Sequence, residues 1–383
     1  MIEVRQARLR SNPRYRLVPY DELQTTDREA FRSLSEDPDF FGVLVPPRDS
    51  VWPVKSVSRD AALLFMTLRE PACLPHLLDG LFGGRAGERL EPLILDGVFE
   101  VEQSGSFVSG AAALAQFGDR VVATAASRLT QLSTDAVAYA AALEGLSAHD
   151  VAMRLYLFNA APVTLGLRRR FADDARLLSF VADGDDVGRR LRSRWHSETL
   201  GDSWMAWQSA ALEEAPGYKL YISPVLEHLP RVFEAAVEAF ARVQCTRFKL
   251  GRGAYGVLRP DKLVAYFSSL DALLQAAELI RLAVPGEEAQ GVPFTAPIDP
   301  AGLLSWGMDP PRFEQVLAWQ QIQSWRQWLT GRIAVYTLAA KQAGSDAHSF
   351  VRQRIQMDGV DPQTWNPDLA IWRGPVGTEQ ETP

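Results

Sequence analysis

Apolar and polar positions follow the clearest pattern between residues 217 and 285. Residues 218–223, Tyr-Lys-Leu-Tyr-Ile-Ser, alternate like a strand and stop at Pro224. The next stretch, 225–243, sets Leu229, Val232, Phe233, Val237 and Phe240 on one stripe of a helix. Residues 246–250 and 262–267 read as two more strands joined across a glycine-rich turn, and 270–284 as a second amphipathic helix ended by Pro285-Gly286. The order β-α-β-β-α predicts an α+β layer, an antiparallel-type sheet with helices on one face.

The rest of the chain divides around this unit. Residues 41–45 and 52–57 are β-like runs flanking a turn cluster. Residues 58–69 form a helix with Ser58 as its N-cap and Leu63, Leu64, Met66 and Leu68 as apolar positions. Further helices are expected over 74–82, ended by Gly83-Gly84, and over 87–95. Residues 97–108 then predict a hairpin turning at Ser104-Gly105. Together these make a winged-helix-like module within residues 1–110. Residues 111–215 read as a helical, arginine-rich connecting region, Ala-rich over 112–146 and dense in arginine over 168–195, where charges alternate in sign as on a solvated helix face. Residues 216–310 hold the α+β domain. Residues 311–372 form a helical region led by one long helix over 311–343, whose Trp319, Trp325 and Trp328 pack against the sheet, and 373–383 form a disordered tail.

Composition narrows the class without naming a chemistry. With 383 residues, 47% of them hydrophobic and 23% charged, the chain can bury a core across two or three domains. A net charge of −7 argues against a protein that wraps nucleic acid. The two cysteines, Cys73 and Cys245, are far apart, which excludes a disulfide scaffold or a Cys-rich zinc site and fits a reducing cytoplasm. The N-terminal arginines precede no apolar segment, so no secretory signal is expected, and the longest uncharged run, 103–118, is too short and too rich in Gly and Ser for a membrane helix.

Several familiar motifs fail on context. Gly251-Arg-Gly253-Ala-Tyr-Gly256 spells G-x-G-x-x-G, but a dinucleotide site needs that loop to open a helix facing the pyrophosphate. Here it leads through 257–260 into a strand. A kinase glycine loop would require H-R-D and D-F-G partners, which the sequence lacks. A plain β-connection, its glycines supplying positive φ, is the reading. Asp183-Gly-Asp-Asp186 lacks the later Glu of a calcium loop, and His76, His149, His196, His228 and His348 are scattered, so no metal is indicated. There is no G-x-S-x-G elbow for a hydrolase.

What remains is a set of cations on neighbouring strands: Lys219 beside Tyr221 on the first, Lys249 on the second, Arg259 and Lys262 entering the third. Lys219 and Tyr221 are two residues apart and share a face of the sheet, the open face if the helix-covered one is apolar. Lysines and arginines beside a phenol suit an anion site, and a lysine crowded by other cations loses its proton more easily and can serve as a base. The plain alternative is that each is an ordinary solvent-facing residue of a one-sided sheet.

This pattern, 218–224, then Phe248-Lys249-Leu250, then Arg259-Pro-Asp-Lys262 leading to Phe267, resembles the phosphoserine/phosphothreonine lyase fold over residues 216–310. That group includes type III effector phosphothreonine lyases, the lyase domains of class III and IV lanthipeptide synthetases, and effector-like lyases of class V lanthipeptide and thioamitide pathways. The resemblance implies Lys249 as the base that removes the α-proton, Arg259 as the phosphate clamp with Lys262 and Arg252 as further phosphate contacts, and Lys219 as an electrostatic stabiliser. Tyr221 stands where the family has an acid histidine. Residues 41–108 are similar to the leader-peptide recognition element of enzymes that modify ribosomally made peptides, which binds a leader as an added edge strand. The rival, a DNA-reading winged helix, would carry Arg or Lys on its recognition helix, and 72–84 has none.

The resemblance implies a cytoplasmic maturation protein that acts on a precursor peptide after a separate Ser/Thr kinase and eliminates phosphate to leave dehydroalanine or dehydrobutyrine. No cofactor, nucleic-acid or membrane partner is expected. The alternative is a non-catalytic adaptor that keeps the leader module and a degenerate lyase fold.

Overall fold

The computed structural model describes residues 7–74, 86–117, 127–182, 185–210, 217–310, 317, 320 and 323–372. Residues 8–108 build two small antiparallel sheets. One contains β1 (Arg8–Ser11), β5 (Ala72–Cys73), β6 (Phe99–Gln103) and β7 (Ser106–Val108), in the order β5-β1-β6-β7. The other is β2 (Arg16–Pro19), β3 (Phe40–Val45) and β4 (Lys55–Ser58). The expected strand pair appears as β3 and β4, the second at 55–58 rather than 52–57; the helix and the hairpin also form, and the Ser58 side chain caps the helix Arg59–Thr67 by accepting from the Ala61 N–H at 3.2 Å. The N-terminal twenty residues, for which the pattern predicted nothing, supply one strand to each sheet. A third expected helix appears as Ala86–Leu95. The remaining one, over 74–82, falls from residue 75 onward outside the described residues, as do Asp183, Trp319, residues 311–316 and the 373–383 tail.

The large sheet has seven strands, β8 (His196–Leu200), β9 (Trp204–Gln208), β10 (Tyr218–Ile222), β11 (Arg247–Gly251), β12 (Leu263–Phe267), β13 (Ala296–Pro297) and β14 (Leu304–Met308), in the order β13-β14-β10-β12-β11-β9-β8, every pairing antiparallel. The predicted three-strand core is therefore β10-β12-β11, extended on both sides. Residues 196–208, expected within a helical connection, are strands instead. β8 is polar and exposed along most of its length, so no alternation marks it, and the arginines preceding it suggest a continued helix face.

The helices Leu229–Arg242 and Leu270–Ala283 cover the apolar face as predicted. There Phe248 stacks on Trp207 at 5.1 Å and meets Phe240 at 4.9 Å between ring centroids. The opposite face is covered at its β14 end. The helix Trp325–Gln342, opened by a capping box at Ser324, lays Trp325 over Gly307, and the Trp325 indole donates to the Phe294 carbonyl at 2.7 Å. The helix Ala148–Tyr156 packs beside it. The N-terminal unit joins the same core. Asp96 pairs with Arg354 at 2.7 Å and with Lys55 at 2.7 Å, and Gln353 donates to Glu91 at 3.1 Å. Among the described residues, no helix is long and apolar enough to cross a membrane.

The glycine-rich segment departs from expectation. It is a short helix, Gly253–Leu258, between β11 and β12. Of its three glycines only Gly253 uses positive φ, at +66°. Gly251 and Gly256 are required for close approach instead: a Cβ on Gly251 would lie 2.2 Å from the Gly256 carbonyl oxygen, and one on Gly256 2.2 Å from the Gly251 carbonyl carbon. Both obstacles are backbone and cannot rotate away. Gly251→Ala should therefore cost roughly 2–4 kcal/mol of stability, seen as a lower midpoint in urea unfolding. A midpoint equal to wild type would mean the two chains need not touch.

Candidate active site

The turn from the short helix into β12 sets the first cation. Pro260 disfavours helical geometry at the residue before it, so the helix ends at Leu258 and Arg259 is extended, with φ −73° and ψ 155°. Two residues on, Asp261 is 3% exposed and folds back onto it. Arg259 grips this carboxylate with both edges of its fork, Nε to Oδ1 at 2.6 Å and Nη2 to Oδ2 at 3.1 Å. Arg326, 1% exposed near the start of the C-terminal helix, reaches Asp261 Oδ2 at 3.0 Å. Tyr156, at the end of its helix, donates to Oδ2 at 3.1 Å and accepts from Arg259 Nη2 at 3.1 Å, while its backbone carbonyl accepts from Arg326 Nη2 at 2.6 Å. The two guanidiniums hold the Asp261 carboxyl down at about 2 against the upward pull of burial. Burial, with Asp261 adding to it, pushes the Tyr156 phenol up to about 12.

Strand register supplies the other groups. β10, β12, β11 and β9 pair so that Lys219 lies opposite Tyr266, Arg247 opposite Tyr266 from the other side, and Lys249 opposite Ala206. With a period of two, Lys219, Tyr266, Lys249 and Trp204 share the face that turns away from the two long helices. The Trp204 ring carries two cations, Lys249 Nζ at 4.1 Å and the Arg259 guanidinium at 4.4 Å from its centroid. Tyr266 carries Lys249 at 5.6 Å, Lys219 at 5.7 Å and Arg247 at 5.5 Å. Lys219 forms an ion pair with Asp309, just past β14. Burial lowers the Lys249 ammonium to about 8, and Lys219, Arg259 and Arg247 push the same way while Asp261 opposes them.

The structure unites Lys249, Arg259 and Lys219, while Lys262 and Arg252 have partners elsewhere. Tyr221 is on the same face, 3% exposed beside Arg326, Tyr156, Asp261 and Tyr266, and burial raises its hydroxyl well above the ordinary value. Lys262 is fully buried. Its ammonium donates to the Pro224 carbonyl at 2.6 Å and to the Gln290 side chain, so it pins loops together, and burial lowers it to about 7. Arg252 pairs with Asp174 at 2.7 Å, a third of its side chain in solvent, on the other side of the short helix's start. Four site members escaped the pattern: Tyr156, Trp204, Asp261 and Arg326. The Arg-Pro-Asp run could have pointed to Asp261, since an acid two residues from a pre-proline arginine can return to it. Tyr156, Trp204 and Arg326 come from distant segments, and nothing local marks them.

Chemically, the arrangement is a patch of cations facing two carboxylates, with one amine poised to lose its proton near neutrality. It suits an anion next to an acidic C–H group.

Among solved structures the chain is similar to the effector protein from Pseudomonas syringae pv. tomato strain DC3000, at 12% identity and a TM-score of 0.38, with 63% of this chain and 98% of that one covered. It is also similar to the type III effector/phosphothreonine lyase OspF from Shigella flexneri, at 14% identity and a TM-score of 0.27, with 36% and 84% covered. A third is the phosphothreonine lyase SpvC, the effector protein from Salmonella, at 12% identity and a TM-score of 0.24, with 52% and 98% covered. No protein-family model matches the chain, and no curated protein matches it.

Asp261→Asn leaves Arg259 and Arg326 facing a neutral amide, and should cost about 3–5 kcal/mol, the usual result of breaking a buried pair. Because the folded carboxyl sits at about 2, below the roughly 3.9 of an unfolded chain, its contribution is complete above about pH 4. It is lost as pH falls from there toward 2. Urea unfolding of wild type and variant should therefore converge over that window, and a gap that stayed constant with pH would refute this assignment.

Proposed function

We propose that this chain eliminates phosphate from phosphorylated Ser or Thr in a precursor peptide, leaving dehydroalanine or dehydrobutyrine. The observation that carries the reading is Lys249, held on the Trp204 face beside Arg259 with its ammonium brought down to about 8. The neutral amine takes the α-proton, the released pair forms the Cα=Cβ bond, and the Cβ–O bond breaks. Phosphate leaves as an anion against Arg259, whose Nε and Nη2 are oriented by Asp261. Lys219, oriented by Asp309, stabilises the enolate that precedes bond cleavage. The reaction ends with Lys249 protonated, and the proton passes to solvent. A phosphate whose charge is held needs little help from an acid, so burial of Tyr221 does not stop the cycle. The phosphorylated substrate comes from a separate kinase. The N-terminal unit receives the leader of the precursor, supported by the sheet β2-β3-β4, which ends in edge strands.

A second reading, a non-catalytic adaptor, is favoured by two specific observations: Tyr221 is sealed in the interior, and much of the Arg259 fork is already spent on Asp261. Purified protein with phosphorylated precursor decides between them. The lyase reading expects loss of phosphoric acid by mass spectrometry. It expects kcat/KM to fall about tenfold per pH unit below about 8, as the required neutral amine becomes scarce, and activity to vanish in Lys249→Ala with the fold retained by circular dichroism. Tight leader binding with no loss of phosphate in wild type would leave the adaptor.

A further inference from the structure

From Tyr156 in the candidate site the chain runs outward. The Ala161 N–H donates to the Leu258 carbonyl at 2.9 Å, and the helix Leu165–Arg170, with Thr164 as its cap, then packs against the helix Gly253–Leu258. Its last residues are Arg168, Arg169 and Arg170, all exposed. Neighbouring helices carry the local ion pairs of a solvated charged face, Arg176 with Asp173 at 3.5 Å and Arg189 with Asp186. The triplet does not. Asp173 and Asp174 are engaged by Arg176 and Arg252, and among the described residues none of the three arginines meets a carboxylate. Arg168 donates to the Tyr255 hydroxyl and lies 5.1 Å from its ring centroid; Tyr255 is 63% exposed and Leu165 70% exposed.

Arg170 lies over the Phe180 ring at 4.4 Å, and Arg168 over that of Tyr255. In a chain of net charge −7, this run of guanidiniums without carboxylate partners, with an open tyrosine and leucine at the Arg168 end, forms a local positive field with an apolar footing. The short helix bearing Tyr255 links the strand of Lys249 to Arg259, and the helix Leu165–Arg170 packs on it, which ties this surface to the candidate site. We propose that the surface of Arg168, Arg169, Arg170 and Tyr255 binds acidic residues that flank the modified Ser or Thr of the substrate peptide. Guanidiniums match carboxylates in forked geometry, and the adjacent ring and Leu165 accept the stems of Glu side chains. The inference rests on the peptide-lyase reading above, and names the substrate sequence that reading leaves open.

Fluorescence anisotropy with labelled, unphosphorylated peptides tests it on the full chain. A peptide with Glu flanks should bind more tightly than its Gln counterpart, and lose that advantage in high salt. Arg168→Glu/Arg169→Glu should weaken the Glu peptide at least about fivefold and leave the Gln peptide unchanged. Arg169→Glu alone, at a side chain with no contact to lose, should weaken it in the same direction. Equal binding of the two peptides, or tighter binding of a single-stranded oligonucleotide than of the Glu peptide, would overturn the proposal. The binding readout decides it by itself, whereas absence of phosphate loss from every phosphorylated peptide would count against the lyase reading alone.

Discussion

One buried carboxylate organises the candidate site. Asp261 lies at the mouth of β12 with almost no access to water, where an unpaired charge would be prohibitively costly. Its neutralisation draws together three segments far apart in the chain: Arg259 from its own turn, Arg326 from the C-terminal helix and Tyr156 from the middle of the protein. The ion cluster is therefore a tertiary clasp as well as a chemical feature. Without it the helices Ala148–Tyr156 and Trp325–Gln342 would lose their polar anchor to the sheet, and Arg259 would be one flexible surface arginine among many.

The clasp also explains why the cations differ in character. Arg259 and Lys219 each have a carboxylate, so each is a fixed charge with an oriented head group. Lys249 has aromatic faces instead, Trp204 and Tyr266, which tolerate an ammonium but stabilise it less than a carboxylate would. Burial and like charge then outweigh the opposing pull of Asp261. The same sheet face thus holds permanent positive charges for an anion and one amine able to change state. Lys262 shows that a lowered lysine is not enough: it is displaced further, but both its partners are structural and it faces the interior.

The glycine-rich segment shows how a motif can be right in its letters and different in its physics. Gly251 and Gly256 let the end of β11 and the short helix touch backbone to backbone.

The α+β layer, its central strands and both covering helices were legible because each carries a period of its own: two for the strands, three to four for the helices. Lys219 and Lys249 could be placed for the same reason, since alternation assigns each to a face, whereas Arg259 lies in the turn before β12, where no alternation applies. The edge strands β8 and β13, the burial of Tyr221 and Lys262, and the roles of Tyr156, Trp204 and Arg326 were not. β8 buries too little to impose a pattern and β13 is too short to show one, and burial depends on neighbours from other segments: Tyr156 and Arg326 lie by Tyr221, and Pro224 and Gln290 hold Lys262. The sequence by itself determined which residues share a face of the sheet, because side-chain direction is set by local backbone geometry. Only the tertiary structure decided which of them are neutralised, sealed or left able to react, because charge and solvation depend on neighbours that the chain brings together from a distance.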